Sequence, residues 1–520
     1  MSAAPQAWPE FPERFNLCEY YLDRHADEGR AEKVALYCEG EERTYGELIE
    51  RVRRLTAAFR RLGARPEERV LIVLPDCFEF AETWFATLRA GCVFAMVNPL
   101  LHREQFDHYL EYTKARIVVT SEDVLGDMEP AFDDAPWCEH LIVVGSDSGG
   151  HHAYEELIAA EQPDSTRAAC APTGPDDLAG WLFTSGSTGM PKACVHTHGD
   201  FASNTELYAL NVVGYREDDV CISVPKLFFG YATGTNLMFP FRVGASAVLF
   251  SGRSTADALF DLIERHKPTF LTGVPTMFNN MLNSDRIDGM DLSSLRLSLS
   301  AGEALPAELY ERWKARTDVE ILDGIGSAEM FHIYVSNAPG DVKLGSLGKV
   351  VPGYEVEIVD PQGAPLPVGE SGRLRVNGPS TALCYWGDKR KSNETFQGAW
   401  CTTGDIFRCD ADGYYYYEGR ADDLLKISGI WVSPLEIENA LLGHEAVAEV
   451  CVIGREEDGL MTSVACVVLT RGFEGNDETA ALLKAHVKER LAPYKYPRRF
   501  EWHAELPKND RGKIARKLLK

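Results

Sequence analysis

Apolar and polar positions along the first part of the chain alternate with two periods. Thr44-Tyr45-Gly46-Glu47-Leu48 opens an amphipathic helix that runs through Leu62 and closes at Gly63. Arg69 leads the apolar run VLIVLP, which predicts a buried strand. Phe78, Ala81, Trp84, Phe85 and Leu88 then recur at helical spacing, Gly91 stops that helix, and Cys92-VFAMV follows as a second strand. ARIVVTS (115–121) and HLIVVGSD (140–147) continue the series. Strand–helix–strand order of this kind implies a parallel sheet with crossover helices.

Residues 149–175 are polar and rich in Pro and Ala, and read as a surface connection. Further on, VEIVD (356–360) and GRLRVNG (372–378), separated by Pro/Gly turns, predict short strands of a small β unit. After Gly419-Arg420 the texture changes again. AEVCVIG, TSVACVVLT and a helix from Glu478 to Leu491 suffice for a small α+β domain. The expected fold is therefore α/β. A large N-terminal domain of parallel-rich sheets, residues 1–421, carries the small β unit, and a small C-terminal domain spans 422–520.

Composition narrows the class. The 520 residues exceed one core, and 45% hydrophobic with 25% charged residues is ordinary for a globular protein. No apolar run approaches a membrane span, and the N-terminus lacks the basic start and apolar stretch of an export signal, so a cytoplasmic protein is expected. The 13 cysteines are scattered without a CxxC pair, which fits free thiols better than a zinc site or disulfides. The histidine pairs His151-His152 and His196/His198 have no matching carboxylate or thiol spacing and read as structural. A net charge of −26 argues against non-specific nucleic-acid binding. The tail is the exception: residues 484–520 hold 12 Lys/Arg against 4 Asp/Glu.

The candidate chemistry starts at Thr184-Ser185-Gly186-Ser187-Thr188-Gly189-Met190-Pro191-Lys192. Hydroxyls and glycines supply crowded donors and let backbone N–H groups approach an anion, and Lys192 adds a full charge. A Walker A loop would open a helix directly after its lysine. Here Pro191 precedes the lysine and Ala193 follows it, so a P-loop kinase or ATPase is disfavoured.

SAGEALP (300–306), DGIGSAE (323–329), TGD (403–405), GRADDLLKISG (419–429) and PKNDRGKI (507–514) follow in order. With the 184–192 stretch they resemble the motif series of the adenylate-forming superfamily, which holds acyl- and aryl-CoA ligases, adenylation domains and luciferases. The resemblance covers about residues 40–520. It implies activation of a carboxylate by ATP with Mg2+, release of pyrophosphate, and transfer of the acyl group to a thiol.

The resemblance also implies roles. The loop of Thr184, Ser185, Gly186, Ser187, Thr188, Gly189 and Lys192 would close on the β- and γ-phosphates. Gly302, Glu303 and Ala304, with Asp323, Gly324 and Ile325, would line adenine. Asp405, assisted by Arg420, would accept from the ribose hydroxyls. Glu329 would help hold Mg2+, and Lys513 would be the catalytic lysine. Asp422 matches the hinge position, and Gly429 matches the glycine beside a pantetheine channel. The basic tail, including Lys495 and Arg498, would meet the phosphates of CoA. The chain departs from the family at Ala328, where threonine is usual, and at Asp510-Arg511, where hydroxyl residues are usual before Gly-Lys.

Lys226-Leu227-Phe228-Phe229-Gly230-Tyr231 and Gly324–Ile333 resemble the benzoate-CoA ligase branch. No aspartate stands in 224–235, where adenylators of α-amino acids place the partner of the ammonium group. The acid pocket is expected from Phe229, Gly230, Tyr231, Gly326, His332 and Ile333, with glycines flattening its walls. Gly230, in place of the branch's alanine, would admit a ring substituent such as the amino group of 2-aminobenzoate. The expected partners are a small aromatic carboxylic acid, ATP and CoA, without nucleic acid or membrane. Loading of a carrier protein, a luciferase-like oxygenation and a degenerate aryl-acid or nucleotide sensor stay open as alternatives at this point.

Overall fold

The computed structural model describes residues 7–185, 191–303, 305–421, 425–427, 430–457, 460–492, 495–508 and 514–519. The first helix, Tyr45–Arg61, forms as its pattern predicts. Thr44 and Glu47 close a capping box that satisfies orphan N–H groups, and the apolar stripe from Tyr45 to Phe59 is buried. Helix Phe78–Ala90 ends on Gly91 at φ 81°, a left-handed turn that a side chain disfavours.

Two large sheets organise the N-terminal part. In the first, strands Arg69–Val73, Val93–Met96, Ile117–Ser121 and His140–Val144 run parallel, and Leu178–Ser185 joins them beside Val93–Met96. Pro191–Thr197 and then Cys384–Tyr385 extend that sheet antiparallel, for eight strands in all among the described residues. The second sheet has nine strands. Its parallel centre includes Val220–Ser223, Phe270–Gly273, Leu297–Ala301 and Ile321–Gly326, and Ile333–Ser336 turns back antiparallel on the last of these. Both sheets have near-continuous apolar strands because helices cover both faces.

Glu355–Val359, Ser371–Asn377 and Trp400–Cys409 build the small antiparallel unit, with Tyr415–Arg420 added at its edge. Beyond it, Val447–Glu457, Leu460–Leu469 and Arg499–Trp502 form a three-stranded sheet packed by helices Pro434–Leu442 and Asp477–Arg490 around a separate core. The stretch 149–175 corrects the sequence reading. It holds the helix Tyr154–Ala159, whose Tyr154, Leu157 and Ile158 are buried, and the Tyr154 hydroxyl donates to Glu82 at 3.0 Å. Three apolar side chains in a short polar run carry too little periodicity to announce a buried helix. Among the described residues, no helix is long and apolar enough to cross a membrane.

Candidate active site

The strands on either side of the stretch rich in hydroxyls and glycines pair with each other. Strands Leu178–Ser185 and Pro191–Thr197 pair antiparallel, with Thr184 opposite Lys192 and Ser185 opposite Pro191. The lysine therefore starts a strand, which is why the Walker pattern fails here. Gly186, Ser187, Thr188 and Gly189 lie outside the described residues. Nζ of Lys192 stands 3.2 Å from the Asp388 carboxylate and 5.6 Å from the centre of the Tyr385 ring. Asp388 also caps helix Lys389–Thr395 by accepting from the Lys391 N–H at 2.9 Å. That N–H, and then the charge of Lys192, hold the Asp388 carboxyl below its ordinary range.

The residues expected to line adenine lie at the carboxyl ends of neighbouring parallel strands, the usual ligand edge of an open α/β sheet. Gly302, at φ 87°, follows strand Leu297–Ala301, and Glu303 is tied down by Thr276, whose Oγ1 and N–H donate to it at 2.8 and 3.2 Å. Asp323, Gly324 and Ile325 belong to strand Ile321–Gly326. Asp323 is buried, and burial pushes its carboxyl up to about 8, so it is largely protonated at neutral pH. Ala304 lies outside the described residues. Asp405 and Arg420 face each other across the pair Trp400–Cys409 and Tyr415–Arg420.

Glu329 sits on the single turn Ala328–Met330, and this turn is clamped from several directions. Nε2 of His196 donates to the Ala328 carbonyl oxygen at 2.7 Å, while its Nδ1 faces Asp200 at 2.9 Å. The sequence reading missed Asp200 as a partner, because it credited that histidine pair with no carboxylate. The N–H of Ala382 donates to the Glu329 carbonyl at 2.8 Å, Ser380 Oγ to the Met330 carbonyl at 2.7 Å, and the Tyr385 hydroxyl to Oε1 of Glu329 at 2.6 Å. Phe331 follows in a tight reversal at φ 64°, ψ −60°, closed by the His332 N–H to the Met330 carbonyl at 2.8 Å. This γ-turn is the strained hand, tolerated where the surroundings enforce it. It carries the chain directly from Glu329 into the wall of the next pocket. As a hard oxygen donor, Glu329 has the chemistry Mg2+ takes alongside phosphate oxygens.

All six residues expected for the acid pocket line one cavity of about 1230 Å³: Phe229, Gly230, Tyr231, Gly326, His332 and Ile333. Gly302, Glu303, Ser327 and Ala328 line it too, so it is continuous with the strand ends where the nucleotide is expected. His332 is buried, stacks on Tyr231 at 5.1 Å, and donates from Nε2 to the Tyr231 carbonyl at 3.1 Å. Its Nδ1 has no partner among the described residues, and burial lowers the ring to about 3. A Cβ at Gly234 would stand 2.6 Å from that ring, so glycine makes room for it.

Two glycine arguments change. A Cβ at Gly326 would stand 2.4 Å from the His332 carbonyl oxygen, so hairpin closure requires this glycine independently of any flat ligand. A Cβ at Gly230 would meet Leu182 at 3.3 and 3.5 Å. A methyl there would therefore act through Leu182, a lining residue that the sequence did not single out.

In the C-terminal part, Lys513, Gly429 and Asp422 lie outside the described residues. The flanks of Lys513, Lys508 and Ile514, bridge to each other and line the same cavity. Lys495 is already engaged by Glu436 at 2.6 Å. The basic cluster lies beside it: Lys484, Lys488 and Arg498 surround the Tyr496 ring at 4.8, 4.4 and 4.3 Å. Cys466, Glu501 and His503 also come together, with ligand atoms within 4.8 Å. Arg455 and Arg499 occupy that carboxylate at 2.6 and 3.3 Å, which opposes a cation there.

The chain belongs to the AMP-binding enzyme family: the family's model matches residues 22–386, and that of the AMP-binding enzyme C-terminal domain matches 436–513. The resemblance read from the motifs holds over both parts. The chain is 43% identical over 514 residues to a benzoate–CoA ligase of Thauera aromatica, covering 98% of this chain and 97% of the relative. It is 40% identical over 515 residues to a 4-hydroxybenzoate–CoA/benzoate–CoA ligase of Rhodopseudomonas palustris, covering 97% and 94%. Among solved structures, an anthranilate CoA ligase in complex with anthranoyl-AMP superposes with a TM-score of 0.94 at 37% identity, over 98% of this chain and 97% of that one. A benzoate CoA ligase of Burkholderia xenovorans superposes with a TM-score of 0.89 at 41% identity, over 97% and 99%.

Proposed function

We propose that this protein is an ATP-dependent ligase that joins benzoate or a small substituted benzoate to CoA. The observation that carries the reading is the aromatic cavity of Phe229, Tyr231 and His332, which opens on Ser327-Ala328 beside Glu329. Two relatives bear names for ligation of benzoate or 4-hydroxybenzoate to CoA, and a structural neighbour holds anthranoyl-AMP. Together these support a small aromatic acid with a ring substituent, 2-aminobenzoate among them.

A carboxylate is a poor electrophile because it must expel oxide. In the proposed reaction its oxygen attacks the α-phosphorus of ATP. The bond to the bridging oxygen breaks, pyrophosphate leaves, and an aryl-AMP forms. The CoA thiol then loses its proton to solvent, sulfur attacks the carbonyl carbon, and AMP departs. Two anions meet in the first step, so cationic groups must neutralise both. Lys192 serves the departing phosphates, Lys513 bridges carboxylate and α-phosphate, and Asp405 with Arg420 holds the ribose. Glu329 would help hold Mg2+, which would supply further neutralisation of the phosphates. In this reading the small domain of residues 422–520 turns about Asp422 between the two steps, and Gly429 leaves a passage for pantetheine.

The test is pyrophosphate release across benzoate, hydroxybenzoates, aminobenzoates and medium-chain fatty acids, with and without CoA. Aromatic acids give acid-dependent release, and CoA is needed for multiple turnovers. Release driven equally by fatty acids would refute the aryl reading. Lys513→Ala lowers the rate of aryl-AMP formation by at least 100-fold, as expected for a group acting on the developing charge.

A further inference from the structure

Residues 380–386 splice the two large sheets together at Glu329. The N–H of Leu383 donates to the Val195 carbonyl and that of Trp386 to the Ala193 carbonyl, both at 2.9 Å, which fastens the segment to the strand after the phosphate loop. Its other edge holds the Ala328–Met330 turn through Ala382 and Ser380. Tyr385 stands between, buried, with its backbone paired to Cys194, its N–H bonded to Ser392 Oγ at 3.0 Å and its ring 5.3 Å from Phe396.

We propose that Tyr385 is a positioning residue for Glu329: its hydroxyl, 2.6 Å from Oε1, holds the carboxylate in the geometry that accepts a divalent cation bound to ATP. The inference rests on the reading of this protein as an ATP-dependent ligase with Glu329 at the cation. A glutamate on one helical turn has three free torsions, and a fixed donor removes much of that freedom before the ligand arrives. One hydrogen bond to Oε1 leaves lone pairs on both oxygens for a cation. The same ring faces Nζ of Lys192 at 5.6 Å, and Lys192 pairs with Asp388. Tyr385 thus touches both the phosphate lysine, through its ring, and the carboxylate, through its hydroxyl.

Tyr385→Phe keeps the ring, its packing and its cation–π contact, and deletes one hydroxyl. The expected result is an increase of about 10-fold in the Mg2+ concentration that half-saturates pyrophosphate release, as for loss of a hydrogen bond to a charged group. KM for the aryl acid stays within about twofold, and CoA ester formation from preformed aryl-AMP keeps the parental rate, because neither uses the cation site. Mn2+ binding in the presence of ATP and no acid, read by electron paramagnetic resonance, weakens by a similar factor. Parental Mn2+ affinity together with parental Mg2+ dependence would overturn the proposal. The Mn2+ measurement needs no ligase activity, so it reads Tyr385 separately from the proposed reaction. Glu329→Gln in the same assay separates the two roles: parental Mn2+ affinity there would remove Glu329 from the cation, whatever Tyr385 does.

Discussion

Nε2 of His332 donates to the carbonyl oxygen of Tyr231 across 3.1 Å, and this one contact sets what the ring offers the pocket. A carbonyl oxygen only accepts, so the proton sits on Nε2 and Nδ1 keeps its lone pair. Nδ1 is buried without a partner among the described residues, a cost of about 1–3 kcal/mol that a donor on the substrate would relieve. His332→Leu is expected to lower kcat/KM for 2-aminobenzoate by about 10-fold and for benzoate by less than about threefold. Pyrophosphate release with both acids measures this. Equal losses would reduce His332 to packing.

The same ring has a pH signature. Its folded value of about 3 lies below the ordinary 6.5, so the unfolded chain binds a proton that the folded chain refuses. Its contribution is complete above the unfolded value and is lost as pH falls through 6.5 towards 3. Relative to His332→Leu, the parent loses up to about 1.4 kcal/mol per pH unit in that window and nothing above pH about 7.5. Urea unfolding of both proteins from pH 8 to 5 tests the slope. A constant difference between them would contradict a neutral buried ring.

Gly230→Ala and Gly326→Ala should part company. The new Cβ at 230 presses on the end of a flexible Leu182 at 3.3 Å, and the protein folds with a tighter pocket. Substituted benzoates then lose kcat/KM relative to benzoate by about 5-fold. The new Cβ at 326 meets a backbone carbonyl at 2.4 Å, which cannot yield without moving the hairpin, and costs about 1–3 kcal/mol or more. Thermal unfolding and acid selectivity together separate the two outcomes.

CoA recognition offers a contrast within the basic tail. Lys488 and Arg498 flank the Tyr496 ring at 4.4 and 4.3 Å, while Lys495 is neutralised by Glu436. Reversing Lys488 or Arg498 to Glu is expected to raise the CoA KM about 10-fold and leave the ATP KM unchanged, with the effect shrinking as salt rises. Lys495→Ala should change the CoA KM by less than about threefold. A larger effect of Lys495 than of Lys488 would reverse this assignment.

Much of the architecture could be read along the chain because its causes are local. The Thr44/Glu47 cap, the stop at Gly91 and the apolar strand runs depend on neighbours within a few residues, and the structure carries each of them. The helix inside 149–175 was missed because its apolar positions are few and its partner, Glu82, is remote.

The site divides in the same way. Residue types at short spacing pointed to an anion-binding loop, and the resemblance of contiguous motifs to a known family implied a glutamate for Mg2+ and an aromatic acid pocket. What holds those motifs in register is not contiguous. His196 reaches Ala328, Tyr385 reaches Glu329, and Leu182 stands under Gly230, contacts from strands of the first sheet to a turn and a helix remote in the chain. Hydrogen bonding and close packing act over a few ångströms irrespective of chain separation, and no pattern along the chain encodes which distant atoms will share that distance. The chain order determined the chemical groups available. Tertiary contacts between segments remote in the chain decided their distances and their burial.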